Sequence, residues 1–224
     1  MRHWIWGLLL GQLVAGGCGA GNNASEFEAG MAALREGHYA AAYCHWRPLA
    51  DRGYAEAQYH LGWLYANGNG MNVDPQLALS WWGKAARQGH ADAQFAVGLA
   101  YTTGDGVKTD LGEAVTWYLK AARQGHQDAR DILARLSDDP ALDLYALHPE
   151  VIGEPWFGWS MRVRGDRINL RSGPGTEYAV VTQVDQGSAL RVVGRRGDWY
   201  RVQVPGGRKD TAWIYKTLVS RDNR

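Results

Sequence analysis

The sequence predicts two domains in series: an α-solenoid of helix–turn–helix repeats, then a small antiparallel β-barrel. Three observations carry that expectation. A 36-residue segment repeats without a gap, the last third alternates apolar and polar residues in short runs broken by turn residues, and formal charge is divided between the two parts. The chain has 224 residues with 24 Lys+Arg and 23 Asp+Glu, a net charge of +1. Residues 24–159 hold 10 basic and 17 acidic side chains, a balance of −7, whereas residues 160–224 hold 13 and 6, a balance of +7. Halves of opposite sign argue for separate surfaces. A hydrophobic content of 46% with 21% charged residues excludes a disordered chain. Two cysteines exclude a disulfide-stapled miniprotein and are too few for a cysteine zinc site.

The chain starts with Arg2, an apolar run over residues 4–14 and a small-residue stretch over residues 15–20. The run is too short to span a bilayer, and basic start, apolar middle and small-residue exit mark a secretory signal peptide over residues 1–20. The stretch before Cys18 resembles the lipobox of bacterial lipoproteins, although Ala15 and Gly16 depart from its pattern. That resemblance implies lipidation at Cys18, with membrane contact through the anchor alone. Ordinary cleavage after Ala20, which would discard Cys18, is the other outcome.

Shifted by 36 positions, residues 55–90 lie on residues 91–126 with 17 identities, and the run AARQGH at 85–90 returns unchanged at 121–126. A period of this size means stacked supersecondary units. Ala57, Leu61, Leu64 and Tyr65 follow helical spacing, as do Leu77, Trp81, Trp82 and Ala85. Gly68 and Gly70 part the two helices, Pro75 suits a first helical turn, and Gly89 and Gly125 suit left-handed C-caps. Gly62 and Gly98 sit inside helices, where glycine costs ~1 kcal/mol relative to alanine. Their recurrence predicts a close approach of two helices with no room for a side chain.

The pattern A-[ED]-A-Q-[YF]-x-[LV]-G, Y-x-x-G-x-G, A-x-x-W-[WY]-x-K-A-A-x-Q-G resembles the Sel1-like repeat, a relative of the tetratricopeptide repeat. The solenoid is expected over residues 24–136, with degenerate caps on both sides, as terminal units that face water require. The resemblance implies that the array grips a protein partner. Positions that differ between units are the candidate contacts: His60, Trp63, Asn67 and Thr103.

Residues 137–160, with Pro140, Pro149 and Pro155 and no periodicity, read as a linker. Short alternating runs follow at 167–171, 179–184, 189–193, 199–204 and 212–215, separated by Gly- and Pro-rich turns. The run INLRSGPGTEYAVVTQVDQG, then GDWYRV and AWIY, resembles bacterial SH3-like domains over residues 161–220. Some such modules dock peptidoglycan or its stem peptides. A groove for a carboxylate-bearing peptide needs flat aromatic faces and a bidentate Arg, so the candidate ligand residues are Arg171, Ser172, Tyr178, Trp199, Trp213 and Tyr215. Strand alternation puts Tyr200 and Val202 on one face and Trp199 and Arg201 on the other, so one of the two adjacent aromatics belongs to the core.

Cys44 and His45 are helical neighbours and point about 100° apart, so they form no nucleophile–base pair; Cys44 reads as a packing cysteine. His90 and His126 recur with the repeat and need no metal. Metalloprotease, nucleophile-elbow and P-loop motifs are absent from the sequence. The expectation is a non-catalytic exported adaptor without cofactor or metal, in the periplasm or on the outer membrane. Its array would bind a protein and its basic module peptidoglycan; export and a near-neutral total charge argue against nucleic acid. A pure protein-interaction protein, or an activator of peptidoglycan hydrolases, are the other readings. Between array and module the charge split predicts at most a weak, salt-sensitive contact.

Overall fold

A computed structural model describes residues 22–137, 139, 144–149, 151, 154, 156–206 and 210–221. Residues 1–21, and with them the expected leader and Cys18, lie outside the described residues. Seven helices run in order: α1 (Asn23–Arg35), α2 (Tyr39–Asp51), α3 (Ala55–Asn67), α4 (Pro75–Arg87), α5 (Ala91–Thr103), α6 (Leu111–Arg123) and α7 (Gln127–Ser137). A short α8 (Leu144–Leu147) precedes seven strands: β1 (Trp159–Val163), β2 (Ile168–Arg171), β3 (Val180–Val184), β4 (Ala189–Arg196), β5 (Trp199–Gln203), β6 (Thr211–Tyr215) and β7 (Val219–Arg221). Each helix packs on its sequence neighbour, the arrangement of a solenoid.

The repeat identities become contacts. Asp74 and Asp110 cap α4 and α6, accepting from the backbone N–H of Leu77 (2.9 Å) and Glu113 (3.0 Å). A β-carbon on Gly62 would overlap the indole of Trp82, and one on Gly98 would lie 2.7 Å from two ring carbons of Tyr118. The expected close approach is thus a glycine on each first helix receiving an aromatic ring from the second. Gly30 meets Trp46 in the same way, so α1 and α2 form a third unit of the same design.

Consecutive units are joined by polar ties that repeat with the sequence. Gln58, buried, donates to the Ala50 carbonyl (3.0 Å) and accepts from Gln88 (2.7 Å); Gln94 repeats this with Ala86 (3.1 Å) and Gln124 (2.7 Å). In the last unit Arg130 takes the same place and donates to Ala122 (3.0 Å). His90 and His126 cap α5 and α7: their Nδ1 atoms accept from Ala93 and Ala129. A backbone N–H only donates, so the ring proton sits on Nε2, facing Glu56 (2.8 Å) and Asp92 (3.3 Å). The rings stack on Tyr59 and Phe95, at 4.7 and 4.5 Å between centroids. Capping, hydrogen bonding to a carboxylate and stacking account for these histidines.

Cys44 is half-buried on α2 and disulfide-bonded, not the free packing thiol expected. Adjacent to Cys44, His45 turns its Nδ1 to Glu26 at 2.9 Å.

The strands form one antiparallel sheet in the order β3-β2-β6-β5-β4-β1-β7. The expected barrel is not closed by hydrogen bonds: β3 and β7 are free edges. All seven strands nevertheless contribute to a single core that includes Met161, Leu170, Val184, Leu190, Val202, Ile214 and Val219. The five expected strands are present. β1 and β7, paired with each other, are additional.

The segment read as a linker is packed. Leu144, Val151 and Phe157 join α6 and α7 residues, among them Tyr118 and Leu133, in one buried cluster. Val193 of β4 completes it. The register of β4 against β5 slips between Val192 and Gly194, so Val193 is the extra residue of a β-bulge. Val192 faces the module's core while Val193, equally buried, enters the helical cluster. Arg191 donates to the carbonyls of Phe157 (2.6 Å) and Glu154 (2.8 Å), and Arg123 pairs with the Glu154 carboxylate at 2.7 Å. The contact between array and module is therefore mainly apolar. The expectation from net charge missed it because the buried residues carry no charge.

Candidate binding sites

On the β module, Arg171 ends β2 beside an irregularity in the β2–β3 pairing. Its Nη1 donates to the Tyr178 carbonyl at 2.7 Å, and the Ser172 N–H donates to Ala179 at 2.9 Å. These two bonds close the turn that carries Pro174 and Tyr178. Trp199 at the start of β5 lies opposite Tyr215 at the end of β6, with rings edge-to-face at 5.4 Å. Two adjoining clefts, of ≈ 610 and ≈ 670 Å³, share Pro174, Trp199 and Tyr215 as their common wall. Tyr178, Arg196 and Asp198 line the first, and Arg167, Arg171 and Glu177 the second.

Electrostatics fix one corner. Lys216 donates to Asp198 at 2.6 Å, and the Tyr215 hydroxyl to the same carboxylate at 3.4 Å. The bond from Lys216 holds the Asp198 pKa below the ordinary aspartate value and raises that of Lys216. Arg171, Tyr178, Trp199 and Tyr215 are thus brought together. Ser172 is exposed at the rim and contributes its backbone. Trp213 is not in the groove: it is only 4% exposed and lies under the Arg201 guanidinium, 4.6 Å from the ring centroid. Tyr200 packs against the module's core and Trp199 lines the groove, the division that alternation predicts.

On the array, a cleft of ≈ 730 Å³ opens between α3 and α5. Its walls include Tyr59, Trp63, Val73, Phe95 and Leu99, with Asn67 at one end. Of the four positions expected to contact a partner, Trp63 and Asn67 line it. Asn67 is oriented by a 2.8 Å bond to the Trp63 carbonyl. Thr103 stands beside it, exposed, and its hydroxyl donates to Asp105 at 2.6 Å, holding that carboxylate at the rim. His60 is not a surface contact. Its ring stacks on Trp46 (4.6 Å) beside Phe27 and Tyr59, and burial lowers its pKa. Comparing units for differences missed Phe95, because it occupies the same place as Tyr59 and both are aromatic. A shared position can line a groove when neighbouring repeats face one cleft together.

Repeated helices with an open apolar cleft thus stand on one chain with a small β module bearing an aromatic groove. The chain carries two Sel1 repeats, matched at residues 55–90 and 91–126, and a bacterial SH3 domain, matched at residues 166–220. The helical part is similar to c5321, a protective antigen of uropathogenic Escherichia coli strains with an SLR fold, at 34% identity over 51% of this chain and 26% of that one, with a TM-score of 0.50. It is also similar to a Sel1 repeat protein from Oxalobacter formigenes, at 35% identity over 50% of this chain and 46% of that one, with a TM-score of 0.48. YrvJ of Bacillus subtilis, named as an N-acetylmuramoyl-L-alanine amidase, is 30% identical over 59 residues, 26% of this chain. The match spans 11% of YrvJ's length.

Proposed function

We propose that this protein is a non-catalytic adaptor of the bacterial cell envelope, gripping a protein partner in the α3–α5 cleft and peptidoglycan stem peptides in the aromatic groove of the SH3 domain. The observation that carries the reading is the pairing of two distinct grooves with a domain of excess positive charge. Stem peptides bear carboxylates, which suit the Arg171 and Arg196 sides of a groove walled by Trp199 and Tyr215. The similarity to YrvJ supports a wall ligand, because the N-acetylmuramoyl–alanine unit in that protein's name is where a stem peptide begins.

Sedimentation of the full chain with purified sacculi tests the wall half. Retention should exceed that of an unrelated basic protein of equal net charge and fall at least several-fold on Trp199→Ala. Equal retention of the two proteins removes that half and leaves a protein-interaction protein. Clearing of sacculi by the purified chain alone overturns the non-catalytic reading.

Export through the leader over residues 1–20 belongs to the same proposal. Lipidation at Cys18 and ordinary cleavage after Ala20, which discards it, are its two forms. Mass spectrometry of the mature N-terminus separates these: a diacylglyceryl Cys18 supports the anchor, and a chain starting at Gly21 removes it.

A further inference from the structure

We infer that the α3–α5 cleft takes a short segment of a partner protein that combines apolar side chains with lysine or arginine. The inference rests on the reading of the array as partner-binding and specifies that partner's chemistry. The cleft is apolar in its walls and open to solvent. Leu99 is 42% exposed and Val73 59%, two of the largest apolar exposures on the array, and Trp63, one repeat before Leu99, lies alongside them. Large apolar groups gathered at one opening, rather than scattered, mark an interaction surface. A volume of ≈ 730 Å³ matches a drug-sized ligand, room for the side chains of a few residues.

Charge selects among segments that would fit such walls. Asp92 on α5, Asp105 in the loop after it and Asp128 on α7 line the cleft, and no lysine or arginine does. The cations of the repeats lie elsewhere: Lys84 and Lys120 sit over the rings of Trp81 and Trp117, at 3.6 and 3.8 Å. Asp105 is preset by its bond from Thr103, and Asp92 faces the ring of His126 at 3.3 Å. All three aspartates are exposed, so each cation they meet strengthens binding by about two- to fivefold, with screening by salt. An acidic segment would meet like charge at Asp92, Asp105 and Asp128 and be disfavoured.

Fluorescence anisotropy of the full chain with three labelled nine-residue peptides tests this: one alternating Leu with Lys, one with Glu in place of Lys, and one with Ser in place of Leu. The Leu/Lys peptide should bind at least tenfold tighter than either counterpart. That margin should shrink several-fold on Asp105→Asn with Asp128→Asn, and separately on Leu99→Ser, all exposed positions whose variants should melt like the parent. Equal binding of the Leu/Glu peptide, or margins untouched by these variants, overturns the inference. Salt-sensitive self-association of the chain that the Asp variants abolish would assign the cleft to the basic domain of a second copy and also overturn it. Photocrosslinking in cells from position 99 keeps this inference apart from the adaptor reading. A crosslinked acidic segment sinks the inference alone, and no crosslinked partner at all sinks the adaptor's protein-binding half.

Discussion

Two glycine-to-alanine substitutions on neighbouring helices should change stability in opposite directions. At Gly98 the added β-carbon would sit 2.7 Å from Cδ1 and Cε1 of Tyr118 and 3.2 Å from the Ala114 carbonyl. Tyr118 is fully buried and its hydroxyl is tied to Thr102 at 2.9 Å, so the ring cannot swing aside without losing that bond. Overpacking of this kind costs about 1–3 kcal/mol and the strained hydrogen bond about 1 kcal/mol. The helix propensity of alanine returns about 1 kcal/mol. The net is a loss of about 1–3 kcal/mol, a fall in Tm of roughly 2–12 °C for a chain of this size. At Gly83 on α4 the same β-carbon meets only the far end of Arg87, at 3.4 Å. There the propensity gain stands unopposed, and Tm should rise by roughly 1–4 °C. Thermal denaturation followed by circular dichroism at 222 nm reads both. If Gly98→Ala stabilises the chain as Gly83→Ala does, the glycine–aromatic contact is not what selects glycine there, and the account of Gly30 and Gly62 falls with it.

Three further outcomes follow from contacts described above. Phe157→Ala should cost about 3–5 kcal/mol and, because its cluster joins array and SH3 domain, should separate the helical melt at 222 nm from the loss of the SH3-domain amide signals in NMR spectra where the parent shows one transition; a single shifted transition refutes the shared core. Burial keeps the folded His60 pKa below the ordinary histidine value of about 6.5, so on acidification the unfolded chain takes up this proton first. Stability should decline as pH falls below that value, and His60→Gln should flatten the decline between pH 7 and 5; an unchanged slope argues against a neutral buried ring. Removing the cation with Lys216→Met should raise the Asp198 pKa toward the ordinary aspartate value of about 3.9 in an NMR titration, because its depression comes first from the Lys216 bond. The stabilisation this pair supplies is present above that pH and is lost as pH falls through the lower folded value.

The legible part of this chain was whatever repeats or alternates. A 36-residue period located α3 to α6, and it anticipated the close approach at Gly62 and Gly98 before Trp82 and Tyr118 were known to fill it. Alternation sorted Tyr200 from Trp199, because burial on one face of a strand is a local property. It could not sort Trp213, whose cover is Arg201 on the adjacent strand, set by a cross-strand register that one strand's pattern does not encode. Leu144, Val151 and Phe157 were hidden for a related reason. They pack against a surface formed jointly by helices and sheet, so their spacing follows neither a 3.6-residue nor a two-residue period, and the prolines between them dominated the reading. His60 differs from its counterpart Ala96 because Phe27 and Trp46 of the first unit enclose it. Variation between repeats therefore marks both open surface and the boundary with an atypical end unit.

The bulge at Val193 has a genetic consequence. Deleting that single codon would let β4 pair with β5 without interruption, so the SH3 domain would keep its ladder and its core. The helical cluster would lose Val193, leaving Phe157 and the Arg191 bonds to join it to the domain. An indel smaller than any recognised domain boundary would thus loosen the joint between array and SH3 domain while leaving the chemistry of each groove untouched.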